Sequence, residues 1–225
     1  MKAQHLLPLA ALSLLAALTP VSAVTLTFDE LADGTTLSAQ YAALGVTFSP
    51  NAFSGAGSST SLLPWATNSD MTIVAIAGGD VGTLGAPALV SGNLLRSFGG
   101  WLLEDGDPSF TASFSTPITS FSASFAGVSS GVDVTLYAFN GLTQIGTVSG
   151  TGEAQPASQF SLTITGDSIT SVVVRPGSYD DWVGVDNIVF LPVPEPGTYA
   201  LMGLGVLAVG AAASRRQAAA RVAAT

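Results

Sequence analysis

Short runs of alternating apolar and polar residues dominate the middle of the chain. In residues 118–126, for example, Phe121, Ala123 and Phe125 fall on one side and the intervening serines on the other. Side chains on a strand point alternately to the two faces of a sheet, so this period of two predicts a strand with one buried face. No interior stretch keeps a helical period, and the region is therefore predicted to be β-structure.

Turn residues divide these runs at short intervals. Asn140-Gly141 accepts the positive φ angles of a type I′ turn, which predicts a hairpin between residues 132–139 and 142–149. Many short strands separated by Gly and Pro predict an all-β fold, an antiparallel β-sandwich of the jelly-roll kind. The other predicted strands are residues 24–28, 45–49, 71–77, 97–103, 109–115, 118–126, 159–164, 169–175 and 183–191.

Both ends of the chain depart from this alternation. Lys2, the apolar run 6–18 and Val21-Ser22-Ala23 predict a signal peptide over residues 1–23. Residues 198–214 are uncharged and are followed by a basic tail over residues 215–225, which predicts a transmembrane helix with its C-terminus in the cytoplasm. The sandwich ectodomain is then residues 24–192, exported across the inner membrane.

Charge and composition narrow the chemistry of the ectodomain. Between Asp29 and Glu195 lie all fifteen acidic residues but only Arg96 and Arg175, a net charge of −13. Nucleic acid is therefore excluded as a partner, since phosphate binding needs clustered Lys and Arg. The chain has no cysteine, and its one histidine, His5, leaves with the signal peptide. Thiol chemistry and a histidine general base are both missing, which predicts that the protein is not an enzyme.

A Pro-Glu-Pro motif precedes the uncharged C-terminal segment. Val193, Pro194, Glu195 and Pro196 are followed by the apolar span and by Arg215-Arg216. Prolines cannot join a helix or a sheet ladder, so they hold residues 193–197 extended and accessible, as a protease site must be. A Pro-rich linker before a permanent helix is the alternative.

This C-terminus resembles the PEP-CTERM sorting signal of Gram-negative bacteria. The resemblance implies that an exosortase, a membrane protease-transpeptidase, recognises the motif, removes the helix and passes the protein to the cell surface. It also implies an association with extracellular polysaccharide and biofilm. On this view the membrane anchor is transient, and the short span of residues 198–213 suits such a provisional anchor.

Carboxylates near the first and last strands form a candidate calcium site. Asp29, Glu30, Asp186 and Asn187 offer oxygen ligands of the kind that calcium needs, and the two strands can lie side by side. The surrounding sequence resembles lectin-like jelly rolls, which implies one structural calcium at these positions. The alternative is that Asp29 caps a turn and that Asp186 lies on the solvent face of its strand.

Two acidic clusters lie beside tryptophans and form a candidate sugar site. An aromatic ring stacks on a pyranose face while carboxylates accept hydrogen bonds from the sugar hydroxyls. The alternative is that the tryptophans are core or rim residues and that the acids are solvated turns. The candidate ligand-binding residues are Trp101, Glu104, Asp105, Asp107, Tyr179, Asp181 and Trp182.

Three functions remain open from the sequence. The first is a non-catalytic matrix or carbohydrate-binding component of the cell surface. The second is a structural or adhesive protein that binds another protein and no sugar. The third is a glycoside-active enzyme that uses Glu104, Asp105 or Asp181, for which the separation of paired carboxylates across a cleft would be decisive.

Overall fold

The structure is a computed structural model. It describes residues 22–50, 71–75, 89–96, 109–128, 130–153, 158–176, 183–193 and 203–214. Residues 22–193 belong to one compact unit. Its strands are β1 Val24–Leu26, β2 Val46–Pro50, β3 Thr72–Ala75, β4 Asn93–Arg96, β5 Phe110–Val128, β6 Asp133–Asn140, β7 Thr143–Thr151, β8 Ser158–Arg175 and β9 Gly184–Pro192, with a 3₁₀ turn at Ala42–Leu44 before β2.

Every strand pairing in the described residues is antiparallel. The main path runs β3-β4-β9-β5-β8-β6-β7, with β1 added beside β9 and β2 beside β5. The predicted all-β, antiparallel β-sandwich is therefore confirmed. The predicted hairpin is present as well, because Asn140 pairs with Thr143 across the turn and Gly141 has a φ of 59°.

The two longest strands bend and take part in both layers of the sandwich. The first part of β5 pairs with the last part of β8, as in Phe110 opposite Val174, and its second part pairs with the beginning of β8, as in Phe125 opposite Phe160. The register shifts between Ser113 and Ile118, where the strands bend. Sequence patterns predicted two separate strands in each case, and the structure joins them.

Local chemistry explains the bends. Pro117 has no N–H to donate to a ladder, and it lies where the β5 register is interrupted. Gly166 lies at the bend of β8, where an added Cβ would lie 3.3 Å from the Ile145 Cδ1 and 3.2 Å from the Ile169 Cγ1. Both bends are thus places where a standard strand residue fits poorly.

Aromatic rings fill the space between the layers. Phe114, before the bend of β5, lies with its ring centroid 6.1 Å from that of Phe121, after the bend, and 5.1 Å from that of Phe190. Further ring contacts join Phe28 to Tyr41 and Tyr41 to Phe48. Such pairs add specific geometry to a large buried apolar area.

The two ends of the sandwich differ in the length of their connections. One end, which we call the corner end, holds both bends, at residues 115–117 and 166–168. It also holds the β6–β7 hairpin turn and Pro192. The opposite end, which we call the loop end, holds Phe110, Asp133, Arg175 and Gly184. The corner-end turns are short, and the segments 97–109 and 177–183 start and finish at the loop end, whereas residues 76–92 join β3 to β4 at the opposite ends of these two strands.

Two features differ from the sequence-based strand list. The strand β4, Asn93–Arg96, was not predicted, because its four residues carry no clear alternation. The predicted strand at residues 97–103 lies outside the described residues.

Of the predicted 198–214 span, the structure describes residues 203–214, and these are helical. The side chains of Leu204, Val206, Leu207 and Val209 are exposed. Among the residues that the structure describes, no helix has the length and apolar character needed to cross a membrane.

The packing of Phe121 generates a stability prediction. Its side chain is fully buried against Phe114, so Phe121→Ala should lower the free energy of unfolding by about 3–5 kcal/mol through the cavity it leaves. Urea unfolding followed by tryptophan fluorescence measures this loss. Leu142→Ala, at a fully exposed position, is the control and should change the free energy by less than about 0.5 kcal/mol. Equal effects of the two changes would contradict the described core.

Candidate functional site

The four residues of the predicted calcium site lie in one region. Asp29 and Glu30 follow β1, which pairs with β9 through Leu26 opposite Ile188. Asp186 and Asn187 belong to β9 itself. The first and last strands are therefore adjacent, as the sequence predicted, and they bring Asp29 close enough to Asp186 for its charge to raise the pKa of Asp186.

A bulge in β9 lies next to the buried Asp186. Ser122 pairs with Val189 and Ser124 pairs with Asp186, so one residue of β5 faces two of β9. Within the bulge, Asn187 has a φ of 49°, a left-handed conformation that asparagine tolerates better than most residues. Asp186 pairs with Ser124, on the face of β5 opposite to Phe125, yet its side chain is only 1% exposed. The alternative of a solvated Asp186 is wrong, because residues 89–93 cover this face of the strand.

The buried carboxylate holds a neighbouring loop. Asp186 accepts hydrogen bonds from the backbone N–H of Ser91 at 3.2 Å and of Asn187 at 2.6 Å. The Asn187 side-chain amide donates to the Leu89 carbonyl at 2.8 Å. We call this arrangement the acidic clasp: Asp29, Asp186 and Asn187 together with residues 89–93.

Asp29 completes the clasp from the other side. Its carboxylate accepts a hydrogen bond from the Asn93 N–H at 2.8 Å, and the Asn93 side chain donates to the Leu31 carbonyl at 2.8 Å. Gly92 has a φ of 69°, and a Cβ added there would lie 1.9 Å from the Asp29 Oδ1. Only glycine therefore allows the loop to approach this carboxylate so closely.

Tyr41 adds an unsatisfied polar group beside the clasp. Its side chain is 4% exposed, and its hydroxyl makes no hydrogen bond of acceptable geometry. Burial raises the pKa of this hydroxyl, and the nearby Glu30 carboxylate raises it further, with smaller contributions from Asp186 and Asp29. The hydroxyl is thus a neutral group that faces negative charge.

Burial also governs the ionisation of Asp186. It raises the pKa of Asp186 to about 6, and the charge of Asp29 acts in the same direction. The hydrogen bonds from Asn187 and Ser91 oppose this change by stabilising the carboxylate. Near neutral pH the clasp therefore contains two negative charges, one of them almost inaccessible to water.

The clasp has some ligands for a cation but no closed metal site. Over the described part of the chain, no three His, Asp or Glu side chains converge in a way that could hold a metal ion. Oxygens of Asp29 and Asp186 are already used as acceptors for backbone N–H groups. A cation here would share these carboxylates with the loop, and its binding would be coupled to the loop's position.

The predicted sugar-binding residues lie outside the described residues. They are Trp101, Glu104, Asp105, Asp107, Tyr179, Asp181 and Trp182. The described strands on either side of the two segments do converge, since Arg96 pairs with Gly184 and Phe110 pairs with Val174. Both segments therefore start and finish at the loop end.

Part of the sorting motif is described. Val193 donates its backbone N–H to the Pro117 carbonyl at 2.8 Å, which fixes the end of β9 to the bend of β5. Pro194, Glu195 and Pro196 lie outside the described residues. The chain thus leaves the sandwich at the corner end, directly before the motif.

Sequence reasoning missed the residues that contact the two acids from outside their strands. These are Tyr41, Ser91, Gly92 and Asn93. Ser-Gly-Asn is a recognisable turn sequence, but it signals only a turn and not what the turn packs against.

Two solved structures resemble the chain. The K2 cleaved adhesin domain of Lys-gingipain is 14% identical, with a TM-score of 0.46, over 75% of this chain and 97% of that one. TmCBM61 in complex with β-1,4-galactotriose is 15% identical, with a TM-score of 0.36, over 66% of this chain and 88% of that one. None of the curated proteins matches the chain.

A family model matches the C-terminal segment. Residues 192–216 match the PEP-CTERM protein-sorting motif. The match begins at Pro192, the last residue of β9, and covers the Pro-Glu-Pro sequence, the helix at residues 203–214 and both Arg215 and Arg216. The chain is therefore an antiparallel β-sandwich that carries a PEP-CTERM protein-sorting motif directly after its last strand.

Proposed function

We propose that this chain is an exported protein that an exosortase-type processing enzyme sorts to the cell surface of a Gram-negative bacterium. There its sandwich serves as a non-catalytic matrix or carbohydrate-binding component. The observation that carries the proposal is the sorting motif at residues 192–216, which follows β9 without an intervening linker.

The route to the surface uses both ends of the chain. Residues 1–23 act as the signal peptide for export, and residues 198–214 hold the exported protein in the membrane until processing. The exposed apolar side chains of the helix at residues 203–214 are suited to a lipid environment. Removal of this segment places the sandwich on the surface or in the extracellular medium.

Ligand binding is proposed at the loop end. The two segments that carry the tryptophans and acidic clusters both join described strands there, whereas the sorting motif leaves from the corner end. A sugar site built from these segments would lie at the end of the sandwich opposite to the exit of the sorting motif. A neutral extracellular polysaccharide is a better partner for this acidic domain than an anionic one.

The sorting step can be tested with Glu195→Gln. In cells that contain the exosortase-type enzyme, we expect this variant to accumulate as uncleaved, membrane-bound protein, because the change removes the charge of the recognised motif. Electrophoretic mobility and cell fractionation measure the outcome. Glu153→Gln, the same change outside the motif, is the control and should be processed normally. Normal processing of the Glu195→Gln variant would show that the charge of the motif is not needed for recognition.

Sugar binding can be tested by retention of the full chain on immobilised exopolysaccharides. Loss of one stacking tryptophan in Trp182→Ala should weaken retention about tenfold, whereas Leu142→Ala at the corner end should not. Failure of the unmodified chain to bind any polysaccharide would leave the structural or adhesive role with a protein partner. Release of sugar fragments that stops in Glu104→Gln would instead identify a glycoside-active enzyme.

We also propose that one calcium ion binds at the acidic clasp, with Asp29 and Asp186 as carboxylate ligands. Glu30 and the Asn187 side-chain oxygen would join them only after their side chains move, because no three acidic side chains of the described residues converge on one point. Two features support this proposal. The pKa of Asp186 is raised partly by the charge of Asp29, so a cation would relieve repulsion between them. The Tyr41 hydroxyl is buried beside these carboxylates and makes no hydrogen bond of acceptable geometry there.

The clasp gives opposite pH dependences with and without calcium. A raised pKa stabilises the folded protein at low pH, and this contribution is lost as the pH rises from about 4 through about 6. In chelator, the free energy of unfolding should therefore fall by up to about 3 kcal/mol over this range. With calcium at a hundred times its dissociation constant, the ion should add about 2.7 kcal/mol, most at neutral pH where the carboxylates are free of protons.

Thermal or urea unfolding over this pH range, in chelator and in excess calcium, measures both effects. In chelator, Asp186→Asn should make the free energy of unfolding nearly independent of pH over this range. Asp167→Asn, which removes an exposed acid at the corner end, should leave the pH dependence unchanged. If calcium does not stabilise the protein at pH 7, calcium binding at the acidic clasp is excluded. A dependence that is unchanged in Asp186→Asn would show that another group causes it.

A further inference from the structure

Exposed apolar side chains are concentrated at one end of the sandwich. In the described part of residues 22–193, five large apolar side chains are exposed, namely Leu44, Leu89, Leu142, Ile145 and Leu191. Single exposed leucines are ordinary on a protein surface, and it is their distribution that matters here. Four of the five lie at the corner end, and only Leu89 does not.

The β6–β7 hairpin carries two of them. Leu142 occupies the tip and is fully exposed, and Ile145 is 43% exposed. The hairpin turn is held to the bend of β8, because the Gly141 N–H donates to the Thr170 hydroxyl at 2.8 Å. The tip is therefore a fixed part of the corner end.

The other two flank the bend of β5. Leu44 precedes Gly45, whose carbonyl accepts a hydrogen bond from the Ser115 N–H at 2.9 Å. Leu191 pairs with Ser120, just after the bend, and is 37% exposed. The four apolar side chains thus come from three separate parts of the chain that meet at one end.

Charge is distributed in the opposite way. Among the acidic residues of the described segments, only Asp167 lies in a corner-end turn. Asp133 begins β6 at the loop end, and the acidic clasp lies towards the beginning of β9. The corner-end turns and the residues beside them contain no Lys or Arg. This end is therefore nearly uncharged on a domain whose net charge is strongly negative.

Both ends of the compact unit also leave at the corner. Val24 pairs with Phe190, and Val193 is bonded to Pro117. The chain reaches the helix at residue 203 within ten residues of Val193, a distance of at most about 36 Å even when fully extended. The corner end is therefore the end of the sandwich from which the chain runs to the proposed membrane helix.

We infer that the corner end is a lipid-contacting surface. Before processing, Leu44, Leu142, Ile145 and Leu191 rest in the interfacial region of the outer leaflet of the inner membrane. The acidic loop end then points away from the anionic lipid. This inference rests on the proposed membrane anchoring by residues 198–214, and it adds the orientation of the sandwich and the surface that it uses.

The chemistry of this surface predicts how it binds. Contact by leucine and isoleucine without Lys or Arg depends on apolar burial, so it should be largely independent of salt and of anionic lipid. Each leucine that becomes buried should strengthen the contact by about tenfold or more. One such contact is weak alone, but anchoring by the helix makes it intramolecular.

The absence of native cysteine allows a direct test with single labels. The full chain, recovered from bacterial membranes without processing, is reconstituted into phosphatidylcholine vesicles as Leu142→Cys or Ser130→Cys, each labelled with an environment-sensitive fluorophore. Ser130 is exposed in the β5–β6 turn at the loop end and is the matched control. We expect blue-shifted emission and quenching by nitroxide headgroup lipids at position 142, and neither at position 130.

The outcomes separate this inference from the proposed function. Flotation of the chain with vesicles tests the anchor, and a chain that does not float overturns both. A chain that floats while the label at 142 is as solvent-accessible as that at 130 overturns the orientation alone. A second experiment keeps the label at position 142 and adds Leu44→Ser and Leu191→Ser to the same chain. These two changes should increase the solvent accessibility of the label.

Discussion

The pairing of β5 with β8 through both layers is the constraint on which the rest of the structure depends. These two strands stay neighbours before and after their bends, so one continuous ladder closes the sandwich at the corner end. Phe114, Phe121 and Phe190 fill the space beneath the bend. These bends and the β6–β7 hairpin give the corner end its short turns, while the segments 97–109 and 177–183 both join described strands at the loop end.

The acidic clasp shows how a segment lying over a sheet buries a charge outside the central core. Asp186 pairs with Ser124 on the outer face of β5, and residues 89–93 cover it there, so burial makes its negative form costly. Backbone N–H groups from Ser91 and Asn187 compensate in part, and the same bonds order residues 89–93 against β9. Phe28, with a φ of 61°, is a second strained residue next to the clasp. Strain and a buried acid at one place are more often associated with binding than with stability alone.

Regular alternation was enough to predict the class of fold and most of its strands. It was not enough where the backbone departs from a regular strand. Residues 109–115 and 118–126 were predicted as separate strands, because Pro117 normally ends a strand, yet the ladder resumes after it. Asp186 could be placed beside Asp29 from sequence, but its burial could not be predicted, since it depends on residues 89–93, a distant segment that lies over this carboxylate. Likewise, nothing local in Ser91-Gly92-Asn93 indicates that two distant carboxylates will hold it.

The two ends of the sandwich also differ in how freely their sequences can change. The corner end must keep its bends, its hairpin and the bond from Val193 to Pro117, because these fix the point at which the sorting motif leaves. Segments that leave and return at the loop end can change without disturbing the β5–β8 ladder. The clasp lies nearer that loop end, and it carries repulsion between Asp29 and Asp186 that a proton or a cation would relieve. Whatever neutralises these carboxylates therefore also acts on residues 89–93, because the same carboxylates hold this segment through its backbone N–H groups.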